Sequence, residues 1–164
     1  MQQSELSDEF YQNFSKGLVS EHQIIFKNPK SRKVIANLAE FLMKEKTSKQ
    51  TLPSTLLGIS LKIHPELNDI DFARNLYLLG HMFSKEKMFV RGEGLFAHAK
   101  GILESQYCYE KIEMYLLFGN MLRQIDIRRS EADQLVEKAK AEAAKMPVWY
   151  PYLVNLCVTP MDIN

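Results

Sequence analysis

Glycine and proline are scarce in this chain, seven and six among 164 residues. Turn-rich all-β folds draw heavily on both, so the shortage argues against one. Cysteine is scarcer still. Cys108 and Cys157 stand far apart and no Cys-x-x-Cys occurs, which excludes a zinc framework and a disulfide-stapled scaffold. A reducing, intracellular compartment is therefore expected. Neither sign of charge dominates, with Lys+Arg 21 against Asp+Glu 20, so no global field attracts nucleic acid or an anionic membrane. No run reaches the roughly 18–20 apolar residues of a membrane span. The opening "MQQSELSDEF" is acidic. It lacks the apolar core of a signal peptide and the arginines of a transit peptide.

What is present is an ordinary globular composition, 46% hydrophobic and 25% charged, enough for a single domain over 1–164. Its apolar residues recur at helical spacing. Leu6, Phe10, Phe14 and Leu18 lie on one face of a helix expected over 5–27, with Ser7, Asp8 and Glu9 suited to its start. A second helix is expected over 31–46, with Val34, Ile35, Leu38, Phe41 and Leu42 inward. Pro53 opens a short third through Leu56, Leu57, Ile59, Leu61 and Ile63. Asp69 or Asp71 opens a fourth carrying Phe72, Leu76, Leu79 and Phe83. "SKEK" turns the chain into a fifth with Leu95, Phe96, Ala99, Ile102 and Leu103. A sixth covers about 108–125. Ser130-x-x-Asp133 has capping-box spacing and opens a seventh along Ala132, Leu135, Val136, Ala139 and Ala143, ending at Pro147. The aromatic tail 148–164 supplies a short eighth. Nothing alternates as a strand does. The fold class expected is all-α, seven or eight helices in antiparallel hairpins.

The chain also repeats itself. "NLYLLGHMF" at 75–83 matches "MYLLFGNML" at 114–122 when Gly80 is laid over Gly119, and "NLAEFL" puts Ala39 in the same place. Spacings of 41 and 39 residues suit a two-helix solenoid unit, three hairpins over 31–147. A mid-helix glycine costs roughly 0.5–1 kcal/mol relative to alanine, so two at matching positions predict close helix crossings.

Leu79-Gly80 and Phe83, followed by Gly92, Phe96 and Ala99, resemble the helix A and helix B signature of a tetratricopeptide repeat. The following copy keeps Phe118-Gly119, Leu122, Ala132, Val136, Ala139 and Pro147, with an insertion near Ile125–Arg129. The resemblance covers about 32–147 and implies a superhelical stack that binds a protein or peptide. In size class, all-helical build and lack of catalytic motifs the chain is also similar to the MIX family of kinetoplastid mitochondrial proteins. That second resemblance implies a protein of the mitochondrial inner membrane, anchored by a segment preceding this sequence and linked to respiratory-complex function.

Chemistry-bearing residues are few and scattered. His22, His64, His81 and His98 include no pair at zinc spacing; His81 and His98 approach only if the fourth and fifth helices bring them together. Gly92-x-Gly94 lacks the preceding strand and following Lys-Ser/Thr of a phosphate loop, and helix contact is expected there instead. Cys108, at a helix start in "YCYEK", is placed for a lowered thiol pKa but has no base nearby in sequence. An enzyme assembled around Cys108 or His81/His98 is the alternative reading. Basic turns, with Lys27, Lys30, Arg32 and Lys33 in "KNPKSRK" and Arg123, Arg128 and Arg129 in "RQIDIRR", raise a further one, RNA binding, without any RNA-binding motif.

The reading carried forward is a non-catalytic helical-repeat adaptor, needing no cofactor or metal and no nucleic acid. Asn75, His81, Asn120 and Arg123 are the candidate polar contacts on helix A faces. In the tail, Trp149, Tyr150 and Tyr152, with Leu153, Val154, Leu156 and Val158, either cap the last repeat or pack against another copy or another protein. A homodimer follows from the second option.

Overall fold

The computed structural model describes residues 28–44 and 51–147. The helix expected over 5–27 and the tail 148–164, with Trp149, Tyr150 and Tyr152, lie outside them. Among the described residues the protein is all-helical. Those residues form six α-helices, α1 Ser31–Lys44, α2 Thr51–Ser60, α3 Ile70–Lys85, α4 Phe89–Leu103, α5 Tyr109–Arg123 and α6 Arg129–Ala143, with one 3-10 turn at Asp126–Arg128. They form two compact units, one ending at Leu78 and one beginning at Leu79, so that α3 gives its first half to one and its second half to the other.

In the first unit α1 packs on α2. Arg32, Ile35, Ala36, Ala39 and Leu42 make the buried face of α1. Only part of the expected inward set is there: Val34 is 68% exposed and Phe41 57%. The five apolar positions span too wide an arc to face one neighbour, and Ile35 and Leu42 take the core. Pro53 sits in the first turn of α2, where an absent N–H breaks no helical hydrogen bond. Of the two aspartates expected to open α3, Asp69 does so: its Oδ1 accepts from Phe72 N at 2.8 Å and its carbonyl from Ala73 N at 3.0 Å.

The second unit starts from the end of α3. Lys87 N donates to Ser84 O at 3.1 Å and Met88 N to Phe83 O at 2.8 Å, a Schellman closure with Lys87 in the left-handed region at φ 62°. The chain reverses into α4, α4 packs on α5, and α5 packs on α6. Phe96, Ala99, Leu103, Ile112, Met114, Met121, Ala132 and Ala139 are almost fully buried between them. At roughly 1.5–3 kcal/mol for each large apolar side chain, this burial is the main term holding the unit together.

The repeated glycines sit at crossings. A Cβ on Gly80 would stand 3.1 Å from the Gly92 carbonyl oxygen and 3.1 Å from Phe96 Cδ2; one on Gly119 would stand 3.2 Å from the Ala132 carbonyl and 3.3 Å from Val136 Cγ2. Gly92 answers Gly80 across the first crossing. Gly94, two residues on, faces open space, so only the first glycine of Gly92-x-Gly94 makes the expected helix contact.

The capping box at Ser130 does not form. Helix α6 starts one residue earlier, directly from the 3-10 turn, with Arg128 in the cap position and no side-chain cap. Asp133 is drawn instead to Arg123, Nη2 to Oδ1 at 3.2 Å.

Candidate functional site

The glycine that turns inward at each crossing sets what its neighbour does. In a helix successive side chains are rotated by about 100°, so the residue after an inward glycine points away from the crossing. His81 follows Gly80 and is half-buried; Asn120 follows Gly119 and is exposed. Arg123, one turn beyond Asn120, is exposed and paired with Asp133. Between them Gln124 Nε2 donates to Ser84 Oγ at 3.1 Å, and Lys87 Nζ donates to Gln124 Oε1. This ties the end of α3 to the end of α5. His81, Asn120 and Arg123 therefore reach the surface of the second unit. Asn75 does not: it is fully buried in the first unit, its Nδ2 donating to Asp71 O at 2.6 Å and to Arg32 O at 3.3 Å.

His81 is electrostatically distinct. Burial, helped by the Lys85 ammonium one turn on, pushes its pKa from 6.5 down to about 4. At neutral pH it is an uncharged hydrogen-bonding group. His98 is exposed on α4, and among the described residues no three His, Cys, Asp or Glu side chains converge as metal ligands.

Cys108 occupies the cap position of α5, as expected, but its thiol moves the other way. Burial raises its pKa, outweighing the Lys111 backbone N–H, so the thiol stays protonated at neutral pH. The helix-start argument fails here because desolvation of the thiolate is the larger effect.

The second basic turn is spent on ion pairs, and in the first only Arg32 is taken into the structure. Arg32 is fully buried: Nη1 donates to Leu67 O at 2.7 Å and reaches Asp69 Oδ1 at 3.3 Å, Nη2 donates to His64 O at 2.9 Å, and the guanidinium lies over the Phe72 ring at 5.2 Å. A planar fork of donors suits two carbonyls and a carboxylate in one loop. Of the other cations in that cluster, Lys30 and Lys33 are exposed and Lys27 lies outside the described residues. In the second turn Arg128 bridges Glu93 at 2.7 Å and Glu131 at 2.6 Å, and Arg129 pairs with Asp126 at 2.8 Å.

Sequence reasoning missed two polar centres. One is the Arg32–Asn75 node, in which Arg32 Nε and Asn75 Oδ1 are buried without a hydrogen-bond partner. The other is Lys111, buried in α5, which reaches Glu142 Oε2 at 3.2 Å and the Glu104 carbonyl at 3.2 Å. Lys145 completes the second at 2.9 Å from Glu142, and Tyr107 Oη donates to the Lys145 carbonyl at 2.6 Å. Nothing in one-dimensional spacing marks either, because each joins residues far apart in the chain.

On the outer face of α6, Ser130, Asp133, Gln134, Glu137, Lys138 and Ala141 line an open hollow of about 730 Å³. Among the described helices none is long and apolar enough to cross a membrane. No protein-family model, no curated protein and no solved structure matches the chain.

Proposed function

We propose that this chain is a non-catalytic helical-repeat adaptor that holds a protein segment against the exposed helix faces of its hairpins. One observation carries the reading: the same small-residue crossing occurs twice, Gly80 against Gly92 and Phe96, then Gly119 against Ala132 and Val136. Phe96 and Phe118 stack between the two at 5.0 Å and 3°. Repeated close crossings stack hairpins side by side, and a stack of hairpins presents parallel helix faces as a binding surface. In full the proposal is a degenerate tetratricopeptide-like superhelical stack of seven or eight helices. His81, Asn120 and Arg123 form its polar contact edge, and Trp149, Tyr150 and Tyr152 provide a second, aromatic contact surface. The resemblance to the MIX family makes respiratory-complex assembly at the mitochondrial inner membrane the setting we propose.

The test is a paired capture from the native cell, with the wild-type protein and with an Asn120→Glu/Arg123→Glu variant of equal stability. A partner held by wild type, lost from the variant, and bound again when both proteins are purified supports the proposal. Recovery of the same partners by both proteins removes this face from the account.

A further inference from the structure

Helix α1 meets neighbouring helices on two sides and solvent on a third. Ile35, Ala36, Ala39 and Leu42 fill the core of the first unit, where α1 packs on α2. A second side faces α3, whose Arg74 donates to Asn37 Oδ1 and Glu40 Oε2 and whose Asn75 donates to the Arg32 carbonyl. On the third side Val34 and Phe41 stand largely in solvent, with half-buried Leu38 between them. Spacings of four and three residues line these up as one apolar row along two helical turns, about 10 Å. One border of that row is basic. Lys33, Asn37, Glu40 and Lys44 start the same spacing one position earlier, and Lys30 stands just before the helix. All three lysines are exposed. Glu40 is the only carboxylate of α1, and Lys44 at 2.9 Å and Arg74 already hold it. The opposite border passes into buried Ile35 and Leu42.

We propose that this face of α1 receives an acidic amphipathic helix from a partner protein. The partner's apolar row lies on Val34, Leu38 and Phe41, and its carboxylates lie along Lys30, Lys33 and Lys44. Shape and charge select this occupant. A helix laid alongside presents apolar residues at i, i+4 and i+7, the spacing of the row itself. Carboxylates on one of its borders meet the cations that the single acid of α1 leaves unneutralised. A second copy fits worse. Two-fold antiparallel pairing of α1 would set the basic row beside its own image, and three side chains fall far short of the roughly 800 Å² per partner of a stable dimer. An anionic membrane also fits worse, since the cations line only one border of the row and the chain's net charge is +1. The inference deepens the adaptor reading and rests on it for a protein partner, but it uses residues of the first unit, whereas the proposed polar edge lies in the second.

Fluorescence anisotropy with the purified full chain tests this. The probe is a labelled synthetic helix of about 16 residues, with leucines at i, i+4, i+7 and i+11, glutamates along one border and alanines elsewhere. A control peptide carries lysine in place of each glutamate. The acidic peptide is expected to bind saturably, and the lysine peptide at least about tenfold more weakly. Val34→Ser/Phe41→Ser should weaken binding of the acidic peptide by about tenfold, and Lys30→Glu/Lys33→Glu by a similar factor. All four positions are exposed, and circular dichroism checks that both variants stay folded. Asn120→Ala/Arg123→Ala should bind the peptide as wild type does. Capture from the native cell can therefore fail while the peptide binds, and the reverse, so the two readings fail separately. No saturable binding, equal binding of the two peptides, binding that survives both α1 variants, or binding lost in Asn120→Ala/Arg123→Ala overturns the inference. So does cosedimentation with phosphatidylserine vesicles that Val34→Ser/Phe41→Ser abolishes, which assigns the face to a membrane. Self-association lost in that same variant assigns it to a second copy and overturns it equally.

Discussion

The unit ending at Leu78 and the unit beginning at Leu79 are both made of short helices, yet they are held together by different means. In the second unit the helices meet backbone to side chain at Gly80, Gly92 and Gly119, and close apolar packing follows. In the first unit the position corresponding to those glycines is Ala39, and the one described glycine, Gly58, faces open space. There a buried cation does the organising, with Arg32 gathering the carbonyls of His64 and Leu67 and the carboxylate of Asp69 onto α1. Apolar close packing tolerates a neighbour of similar shape. A buried charged fork tolerates little, because losing one partner strands the others without water.

The comparison predicts where each unit breaks. The largest loss is expected from Arg32→Ala, which leaves two loop carbonyls unpaired in the first unit. Breaking such a buried charged node costs about 3–5 kcal/mol, and urea denaturation should show it. Next come Gly80→Leu and Gly119→Leu, each forcing a side chain into a crossing at about 1–3 kcal/mol. Both should lower the melting temperature.

Acid should distinguish the units by where the loss begins. Glu142 in the second unit is held below its usual 4.5 by Lys145 and Lys111; in the first, burial works to raise Glu40 but Lys44 and Arg74 outweigh it. Each carboxylate contributes stability above about pH 4.5 that is lost as pH falls through its depressed folded pKa. His81 adds a loss that starts higher. Its folded pKa of about 4 lies below the ordinary 6.5, so the unfolded chain binds the proton first. Stability is then full above pH 6.5 and falls as pH drops toward 4. Urea midpoints between pH 7 and 4 should decline in the wild-type protein and flatten in His81→Gln. Smallest of all is Arg129→Ala, which removes an exposed pair with Asp126 and should change stability by less than about 0.5 kcal/mol.

Much of the helical plan was readable along the chain, since it rests on local spacing. The start of α1 at Ser31, an aspartate at 69 or 71 opening α3, and the inward set Ala132, Leu135, Val136, Ala139 and Ala143 on α6 all follow from periodicity and capping chemistry. What escaped depends on partners distant in sequence. Val34 and Phe41 belong to an apolar arc too broad to face the core, and periodicity does not say which part of it is buried. Arg32 reads as a solvated turn charge because its acceptors lie more than thirty residues on. Asn75 reads as a surface contact for the same reason, and Cys108 misleads because burial opposes the helix start. His81 and Asn120 each follow an inward glycine, so the glycine register alone turns them away from the crossings.

The central claim is that glycines at helix crossings, rather than glycines in general, set the packing of the repeated hairpins. Gly92 and Gly94 test it within one helix. A Cβ at Gly92 would meet Met121 Sδ at 3.0 Å and the Gly80 carbonyl at 3.1 Å, whereas one at Gly94 meets nothing within 4 Å. The measurement is the denaturation midpoint of Gly92→Leu beside Gly94→Leu. A marked fall for Gly92→Leu is predicted, with an unchanged or raised midpoint for Gly94→Leu, where a better helix former replaces glycine. Equal midpoints for the two variants would contradict it.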